Sequence, residues 1–537
     1  MQRARRTLIL AVVLSLASLA GCTGSTEPQP LVTGAGSVDL APFLSQSVAW
    51  EPCPDSDRFL DDIPEDAQCT TVQVPVDYFA DSGRGTIGIA LIRIPAQGAS
   101  QGSLLVNPGG PGGSGFDTVA QSAVELQRNL PGYDIVGFDP RGVARSAGFD
   151  CKQSERTRLD TIEADFTPED ASEFDRVYTI SRNYENSCRE AYPDWGFLGT
   201  SSVARDLAVI SKALGDEGIN YYGISYGSVI GYELLRTYPD AINRMILESV
   251  VDPAAQEPLA DQLAAFNAQL EDLLAQCATP KYRACGQGRS PEQVRDAFLA
   301  AARNVESSDV ATLTDNGAAS EQLLYHGIVL PLYSEMDESL RELYIEAIAG
   351  FINDQDARQF EFWGYLYNSY DYNESSFTAS DDIQQLVQCL DESAAPADLD
   401  IAQERAKDQA EIADIQQRAP LLAAVAFSDV YDADDRAYET CSYAQGAYED
   451  PGIPDPLAEA AQVTNVGGVP VLVLAVTGDT ATPYEWGQTI ATRLEVPLVT
   501  QNTTGHGVYS QTDNRCTIDV VSNYLATGAL PPQPVTC

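Results

Sequence analysis

Short apolar segments alternate with amphipathic helical patterns in two separate blocks of this 537-residue chain, which limits the folds open to it. The apolar segments lie at 86–94, 103–107, 133–138, 219–224 and 244–251 in the first block and at 469–476 and 496–501 in the second, with helical patterns such as 119–130 and 203–214 between them. Parallel neighbouring strands need a crossover connection, usually a helix, so this alternation is typical of parallel sheets. We predict an α/β fold with a mostly parallel, doubly wound sheet that the second block completes.

The stretch 253–460 separates the two blocks and has a different character. It is rich in Ala, Leu, Gln and Glu in patterns that favour helices, and strands are hard to find in it. We therefore predict a large helical cap, inserted between a first core part at 46–252 and a C-terminal core part at 461–537.

The charge of the chain excludes one class of partner. The sequence has 78 acidic and 32 basic residues, for a formal net charge of −46. Such a charge repels phosphate backbones, so we predict no nucleic-acid partner. Much of the acidity lies in the predicted cap, where it either solvates the surface or attracts a cationic group on a substrate.

The N-terminus has the pattern of an export signal. Three arginines precede an apolar run at 8–19, which is too short to span a membrane, and Leu-Ala-Gly-Cys follows at 19–22. This sequence resembles a bacterial lipobox, which implies a lipoprotein signal peptide at 1–21, lipidation of Cys22 and a flexible tether at 22–45. We expect a protein anchored to the outer face of the bacterial membrane or released outside the cell; ordinary signal cleavage is the alternative.

Ten of the 11 cysteines follow Cys22, and no two of them form a C-x-x-C pair. In an exported chain an even number predicts disulfides, and the spacing argues against a metal or redox site. Sequential pairing gives Cys53–Cys69, Cys151–Cys188, Cys277–Cys285, Cys389–Cys441 and Cys516–Cys537.

A serine stands in a G-x-S-x-G pattern at 223–227, between the predicted strand 219–224 and a helical pattern at 229–238. Small residues flank a nucleophile of this kind because the strand-to-helix turn is strained and crowded, which leaves the hydroxyl exposed. We predict that Ser225 is a catalytic nucleophile. The alternative is a Gly/Ser turn without chemistry.

A serine hydroxyl is a weak nucleophile until a base removes its proton, and a third group must orient that base. Asp479 follows the strand predicted at 469–476 and His506 follows the next one, both at the carboxyl edge of the sheet. We predict that His506 is the base and Asp479 the acid that orients it.

Other residues compete for these roles. The second histidine of the chain, His326, lies in the predicted cap, where a packed or surface position is the better interpretation. Glu248 and Asp252 close the last strand before the cap and are alternative orienting acids. Thr482 either donates a hydrogen bond to Asp479 or caps a turn.

A glycine-rich segment at 107–115 follows another predicted strand. A tetrahedral oxyanion needs preorganised N–H donors, and glycines bring bare backbone close to it. We assign the two donors to Gly110, with Gly109 as the alternative, and to Tyr226, the residue after the nucleophile.

The same segment also spells G-x-G-x-x-G at Gly110, Gly112 and Gly115, and Asp139 ends the next predicted strand, as in a dinucleotide-binding turn. Two prolines remove N–H groups from the segment, and an exported protein meets no nicotinamide pool. This alternative also leaves the serine, aspartate and histidine unexplained, so we expect no cofactor.

These motifs together resemble the actinobacterial tripeptidyl aminopeptidase family, which is related to prolyl aminopeptidases. The resemblance rests on Pro-Gly-Gly-Pro-Gly at 108–112, Asp-Pro-Arg-Gly at 139–142, the serine motif at 223–227, Asp-Thr-Ala-Thr-Pro at 479–483 and Gly-His-Gly at 505–507, together with the lipobox. It implies an α/β-hydrolase fold with a helical cap and the release of short peptides, often tripeptides, from a free N-terminus.

The resemblance also implies carboxylates that hold the substrate's α-ammonium. It places a Cys-x-Asp motif in the cap, here at 389–391, so Asp391 or the adjacent Glu392 is the candidate anchor, and Glu248 competes. A Cys-x-x-Trp motif of the family reads Cys-Ser-Tyr-Ala at 441–444, which puts the length of the released peptide in doubt.

We expect an extracytoplasmic serine exopeptidase that acts through an acyl-enzyme, with a peptide or protein as its substrate partner and the membrane as partner of Cys22. The first alternative is a carboxylesterase or lipase with the same three residues. The second is a surface lipoprotein that binds without catalysis. The sequence leaves the oligomeric state open.

Overall fold

A computed structural model describes residues 38–57, 59–60, 63–80, 82–164, 171–255, 258–282, 285, 288–305, 310–313, 320–377, 382–391, 401–426, 456–464 and 468–537. The predicted signal peptide, Cys22 and most of the predicted tether lie outside these residues. No helix among the described residues is long and apolar enough to cross a membrane.

One ten-stranded sheet forms the centre of the molecule. The described residues form twelve strands, of which ten belong to this sheet. They are β1 (Glu51–Pro52), β2 (Gln68–Pro75), β3 (Thr86–Ile94), β4 (Ser103–Asn107), β5 (Asp134–Phe138), β6 (Ile219–Ile224), β7 (Ile242–Glu248), β8 (Tyr370–Asp371), β9 (Ser376–Phe377), β10 (Val471–Gly478), β11 (Leu498–Thr504) and β12 (Val535–Thr536). Their order in the sheet is β1-β2-β3-β5-β4-β6-β7-β10-β11-β12, and β8 and β9 form a separate hairpin. The first three pairings are antiparallel and those from β5 to β12 are parallel, which confirms the predicted sheet type.

Helices cover both faces of this sheet, which explains why its central strands are buried throughout. All residues of β4 and β6 are buried, as expected for strands packed on both sides. The helices of the sheet domain are Ala41–Leu44, Gly115–Gln121, Ala123–Asn129, Glu155–Ile162, Ala171–Ala191, Thr200–Leu214, Gly227–Thr237, Tyr484–Leu494 and Arg515–Thr527.

The described residues between β7 and β10 are almost entirely helical, as predicted for the cap. Its helices are Pro258–Cys277, Pro291–Ala302, Glu321–Val329, Glu338–Asp354, Arg358–Tyr367, Asp382–Asp391, Ile401–Arg418, Pro420–Ala426 and Pro456–Ala460. Seven of them enclose a hydrophobic core of their own, with Phe266, Phe298, Phe351 and Phe360 at less than 1% exposure. The buried hydrophobic residues of the other two, Asp382–Asp391 and Pro456–Ala460, belong to the core of the sheet domain. The cap is therefore a packed layer rather than a loose insertion.

Four of the five predicted disulfides are present: Cys53–Cys69, Cys151–Cys188, Cys277–Cys285 and Cys516–Cys537. The bridge between Cys516 and Cys537 ties the C-terminal residue to the last helix of the sheet domain. Cys389 is disulfide-bonded, but Cys441 lies outside the described residues, so the fifth pairing stays a prediction.

Candidate active site

Ser225 lies in the sharp turn between β6 and the helix Gly227–Thr237. Its φ of 57° is in the left-handed region, which costs a non-glycine residue roughly 1 kcal/mol or more. The glycines of the motif are needed for space, since a Cβ on Gly223 would lie 2.4 Å from the Gly227 carbonyl oxygen. The backbone N–H of Ser225 donates to the Glu248 carbonyl oxygen at 2.9 Å, which holds the turn against the end of β7.

The glycine-rich segment approaches this turn closely. A Cβ on Gly109 would lie 2.6 Å from the backbone nitrogen of Tyr226 and 2.5 Å from the Ile224 carbonyl oxygen. The N–H of Gly109 donates to Asn107 Oδ1 at 2.9 Å, so this donor is already engaged. Of the two glycines considered as oxyanion donors, the geometry therefore favours Gly110.

Asp479 and His506 are directly hydrogen-bonded at the carboxyl ends of β10 and β11. His506 Nδ1 lies 2.9 Å from Asp479 Oδ1 and 3.1 Å from Oδ2. Thr482 donates from Oγ1 to Asp479 Oδ2 at 2.9 Å and from its backbone N–H to Oδ1 at the same distance, so it fixes the carboxylate. Asp479 thus has the position of an orienting acid.

The loop that carries His506 packs beside the serine turn. A Cβ on Gly507 would lie 2.6 Å from Cγ2 of Ile224, the residue before Ser225. The three predicted catalytic residues therefore lie at the same, carboxyl edge of the sheet.

The electrostatics of the pair suit a base that becomes charged. Burial lowers the pKa of the His506 imidazole, but the charge and hydrogen bond of Asp479 and the charge of Glu248 outweigh this effect, so the pKa is raised. An imidazolium at this site is stabilised as it forms.

The cap contacts this loop directly. The backbone N–H of His506 donates to the Tyr333 carbonyl oxygen at 2.8 Å, and the two rings meet edge to face at 5.9 Å. Thr480 Oγ1 donates to the Leu332 carbonyl oxygen at 2.9 Å. Sequence reasoning missed Tyr333, because nothing in its neighbourhood along the chain marks a contact with His506.

The two carboxylates considered as alternative orienting acids have other partners. Glu248 is fully buried and accepts hydrogen bonds from Gln501 Nε2 and the Tyr509 N–H, each at 2.9 Å. Asp252 forms an ion pair with Arg493 at 3.1 Å. The orienting position beside His506 Nδ1 is filled by Asp479 instead.

The candidate amine anchor in the cap contacts Tyr226, the residue that follows the nucleophile. Asp391 is 1% exposed; it accepts a hydrogen bond from the Tyr226 hydroxyl and another from the Thr200 N–H at 3.0 Å. These contacts give Asp391 a role in holding the turn rather than an open position for a substrate ammonium. Glu392 lies outside the described residues.

His326 is packed inside the cap, one of the two positions considered for it. Its ring stacks on Tyr367 at 4.2 Å and its Nδ1 lies 2.9 Å from Asn368 Nδ2. Burial lowers the pKa of His326 well below its ordinary value, so the ring stays neutral. Within the described residues, no group of three or more His, Cys, Asp or Glu side chains is arranged to hold a metal ion.

A mostly parallel α/β sheet, a serine on a strained strand-to-helix turn and an Asp–His pair on the loops beside it define a serine hydrolase of the α/β-hydrolase fold. Comparison with known proteins agrees with this class. Residues 102–281 match the family model described as alpha/beta hydrolase fold, and residues 438–537 match the one described as TAP-like protein.

Three relatives are similar over most of their length. Carboxylesterase B of Mycobacterium tuberculosis is 32% identical, with 99% of this chain and 96% of the relative covered. Serine protease Hip1 of the same organism is 29% identical with full coverage of both chains. Tripeptidyl aminopeptidase of Streptomyces coelicolor is 28% identical over 91% of this chain and 86% of the relative. The chain belongs to the tripeptidyl aminopeptidase-like family of α/β-hydrolases.

Proposed function

We propose that this serine hydrolase is an extracytoplasmic exopeptidase that releases short peptides, tripeptides among them, from free N-termini. The observation that carries the hydrolase part of the proposal is the Asp479–His506 hydrogen bond on the loop that packs against the Ser225 turn. Two relatives named as a serine protease and a tripeptidyl aminopeptidase support a peptide or protein as the substrate.

In the proposed mechanism Ser225 Oγ attacks the scissile carbonyl carbon while His506 takes the hydroxyl proton. Asp479 holds the imidazole through Nδ1 and stabilises its charge, and the N–H groups of Gly110 and Tyr226 receive the oxyanion. His506 then gives the proton to the leaving amine, and water hydrolyses the acyl-enzyme with the same histidine as base.

Export and membrane attachment belong to the same proposal. The lipobox-like sequence that ends at Cys22 supports them. Replacing the thiol in Cys22→Ala is expected to abolish labelling by a radioactive fatty acid and to move the protein from the membrane fraction to the medium. Unchanged labelling would contradict the anchor.

Ester hydrolysis is the second candidate function, favoured by the 32% identity to a relative named Carboxylesterase B. The two functions share a nucleophile and differ in what holds the acyl part of the substrate. A free α-ammonium is needed only by the exopeptidase.

The deciding assay compares a free-amine tripeptide amide, its N-acetylated twin and a short-chain ester, with Ser225→Ala as the control. Cleavage of the free-amine peptide alone, lost in Ser225→Ala, supports the proposal. Cleavage of the ester alone favours the esterase, and equal cleavage of the acetylated peptide removes the requirement for a free amine. No serine-dependent turnover of any substrate contradicts both.

A further inference from the structure

The loop after β11 is held by acceptors from two other parts of the molecule. The His506 N–H donates to the Tyr333 carbonyl oxygen at 2.8 Å, the Gly507 N–H to Ser249 Oγ at 3.0 Å and the Tyr509 N–H to Glu248 Oε1 at 2.9 Å. Two of these acceptors are side chains at the end of β7. The position of the imidazole therefore depends on β7 as well as on Asp479.

Glu248 differs from the other acceptors because it is a carboxylic acid, which carries a negative charge once it is ionised. Its side chain is 0% exposed and receives hydrogen bonds from the Tyr222 hydroxyl, Gln501 Nε2 and the Tyr509 N–H. No lysine or arginine in the part of the chain that the structure describes forms an ion pair with it. A buried carboxylate without a basic partner is costly to a fold, so a residue of this kind needs an explanation.

The charge that Glu248 faces is that of the His506 imidazolium. Burial raises the pKa of Glu248. Its three hydrogen bonds and the charge of His506 reduce this rise without cancelling it, so the pKa stays above its ordinary value. The groups that face the His506 ring are Asp479 and Thr482 on its Nδ1 side, Tyr333 from the cap and Glu248 from β7. Glu248 and Asp479 are thus the two carboxylates that act on the imidazole, one through space and one through a hydrogen bond.

We propose that Glu248 is a positioning residue for His506: Oε1 holds the loop that carries the imidazole, and the negative charge stabilises the imidazolium formed when Ser225 gives up its proton. This inference rests on the proposed roles of Ser225, Asp479 and His506. The proton moves from Ser225 Oγ to His506 Nε2 as the bond from Oγ to the carbonyl carbon forms.

The test uses Glu248→Gln, which keeps the size and the acceptor for the Tyr509 N–H but removes the charge. The control is Glu361→Gln, which removes a carboxylate that is also buried but lies in the cap, where its Oε2 accepts from the Leu313 N–H at 2.6 Å. Glu248→Asp, which keeps the charge and shortens the side chain, is the second variant.

Two measurements separate a charge effect from a structural one. The chain has only two histidines, so ¹³C-histidine labelling of the full-length protein in a Ser225→Ala background gives two imidazole signals. The signal that titrates at the higher pH belongs to His506, because the pKa of His506 is raised and burial lowers that of His326. We expect Glu248→Gln to lower the pKa of His506 by about one unit and Glu361→Gln to leave it in place. In the active enzyme the acid limb of the kcat/KM profile should move to lower pH by the same amount, with kcat about tenfold lower and KM within a factor of two.

An unchanged pKa of His506 in Glu248→Gln overturns the inference, even if kcat falls, because the loss is then structural. An equally large shift of the His506 pKa in Glu361→Gln also overturns the inference. If Glu248→Gln does not fold, Glu248→Asp must keep the pKa of His506 within a few tenths of the wild-type value, and a drop of a full unit contradicts a charge role. The imidazole titration needs no turnover, so its result remains valid even if the substrate assays contradict the proposed function.

Discussion

Substitution of Gly109 by alanine tests how closely the glycine-rich segment controls the serine turn. The added Cβ would lie 2.5 Å from the Ile224 carbonyl oxygen, 2.6 Å from Tyr226 N and 2.9 Å from Gly227 N. All three are backbone atoms, so no side-chain rotation relieves the overlap. The segment and the turn must separate by about 0.9 Å to restore an ordinary contact of 3.4 Å to the carbonyl oxygen.

A displacement of this size falls on the atoms proposed to receive the oxyanion. A misplacement of about 1 Å in an active site can cost about 100-fold in rate, and loss of one oxyanion donor costs about 100-fold to 1,000-fold. We therefore expect kcat/KM of Gly109→Ala to fall by at least about 100-fold on the serine-dependent substrate.

Gly215→Ala is the matched control for this variant. The φ of Gly215 is 84° and that of Gly109 is 87°, but no atom lies within 4 Å of a Cβ on Gly215. Both alanines pay about 1 kcal/mol for a left-handed backbone, so the melting temperature should fall in both variants. Only Gly109→Ala should lose activity. A kcat/KM of Gly109→Ala within threefold of that of Gly215→Ala would refute the argument that this close approach sets the geometry.

Three further predictions concern single side chains. Asp479→Asn removes the charge and hydrogen bond that raise the pKa of His506, so kcat should fall by about 10⁴-fold and the acid limb of the pH–rate profile should move to lower pH. Tyr226→Phe loses the hydroxyl that donates to Asp391, and steady-state kinetics should show kcat lowered about tenfold at unchanged KM, since the turn and not the pocket is loosened. Burial raises the pKa of Glu361 from 4.5 to about 7, so the wild-type fold loses stability as pH rises from about 4.5 to about 7. Glu361→Gln should therefore increase the free energy of unfolding by up to about 3 kcal/mol at about pH 8 and not at pH 4, as denaturant titrations at the two pH values will show.

The central strands were predictable from sequence because their burial on both faces leaves an apolar run. The segments predicted at 103–107 and 219–224 coincide with β4 and β6. The strand β2 was missed, because Gln and Thr make up half of its eight residues and interrupt any apolar run. The helix predicted at 119–130 is two helices, because the chain leaves helical geometry at Ser122.

The site was predictable where its chemistry follows the order of the chain. Asp479 and His506 come directly after two parallel strands, and parallel strands end at one edge, so their contact could be expected. The environments of Asp391 and Glu248 could not be inferred in this way. Each of these carboxylates accepts a hydrogen bond from a tyrosine hydroxyl of another element, Asp391 from Tyr226 and Glu248 from Tyr222. A carboxylate looks the same in a sequence whether it meets a substrate or a buried hydroxyl.

The placement of the cap between the nucleophile and its base has a consequence for the order of synthesis. Ser225 is made before the cap, whereas Asp479 and His506 follow it, and the His506 N–H needs the Tyr333 carbonyl of the finished cap. On the proposed roles, a chain that stops before position 479 holds a serine hydroxyl with no base, which is a weak nucleophile. On these roles an interrupted or still emerging polypeptide lacks the base that activates its serine, and hydrolytic activity begins only after the last strands have joined the sheet and His506 has met the completed cap.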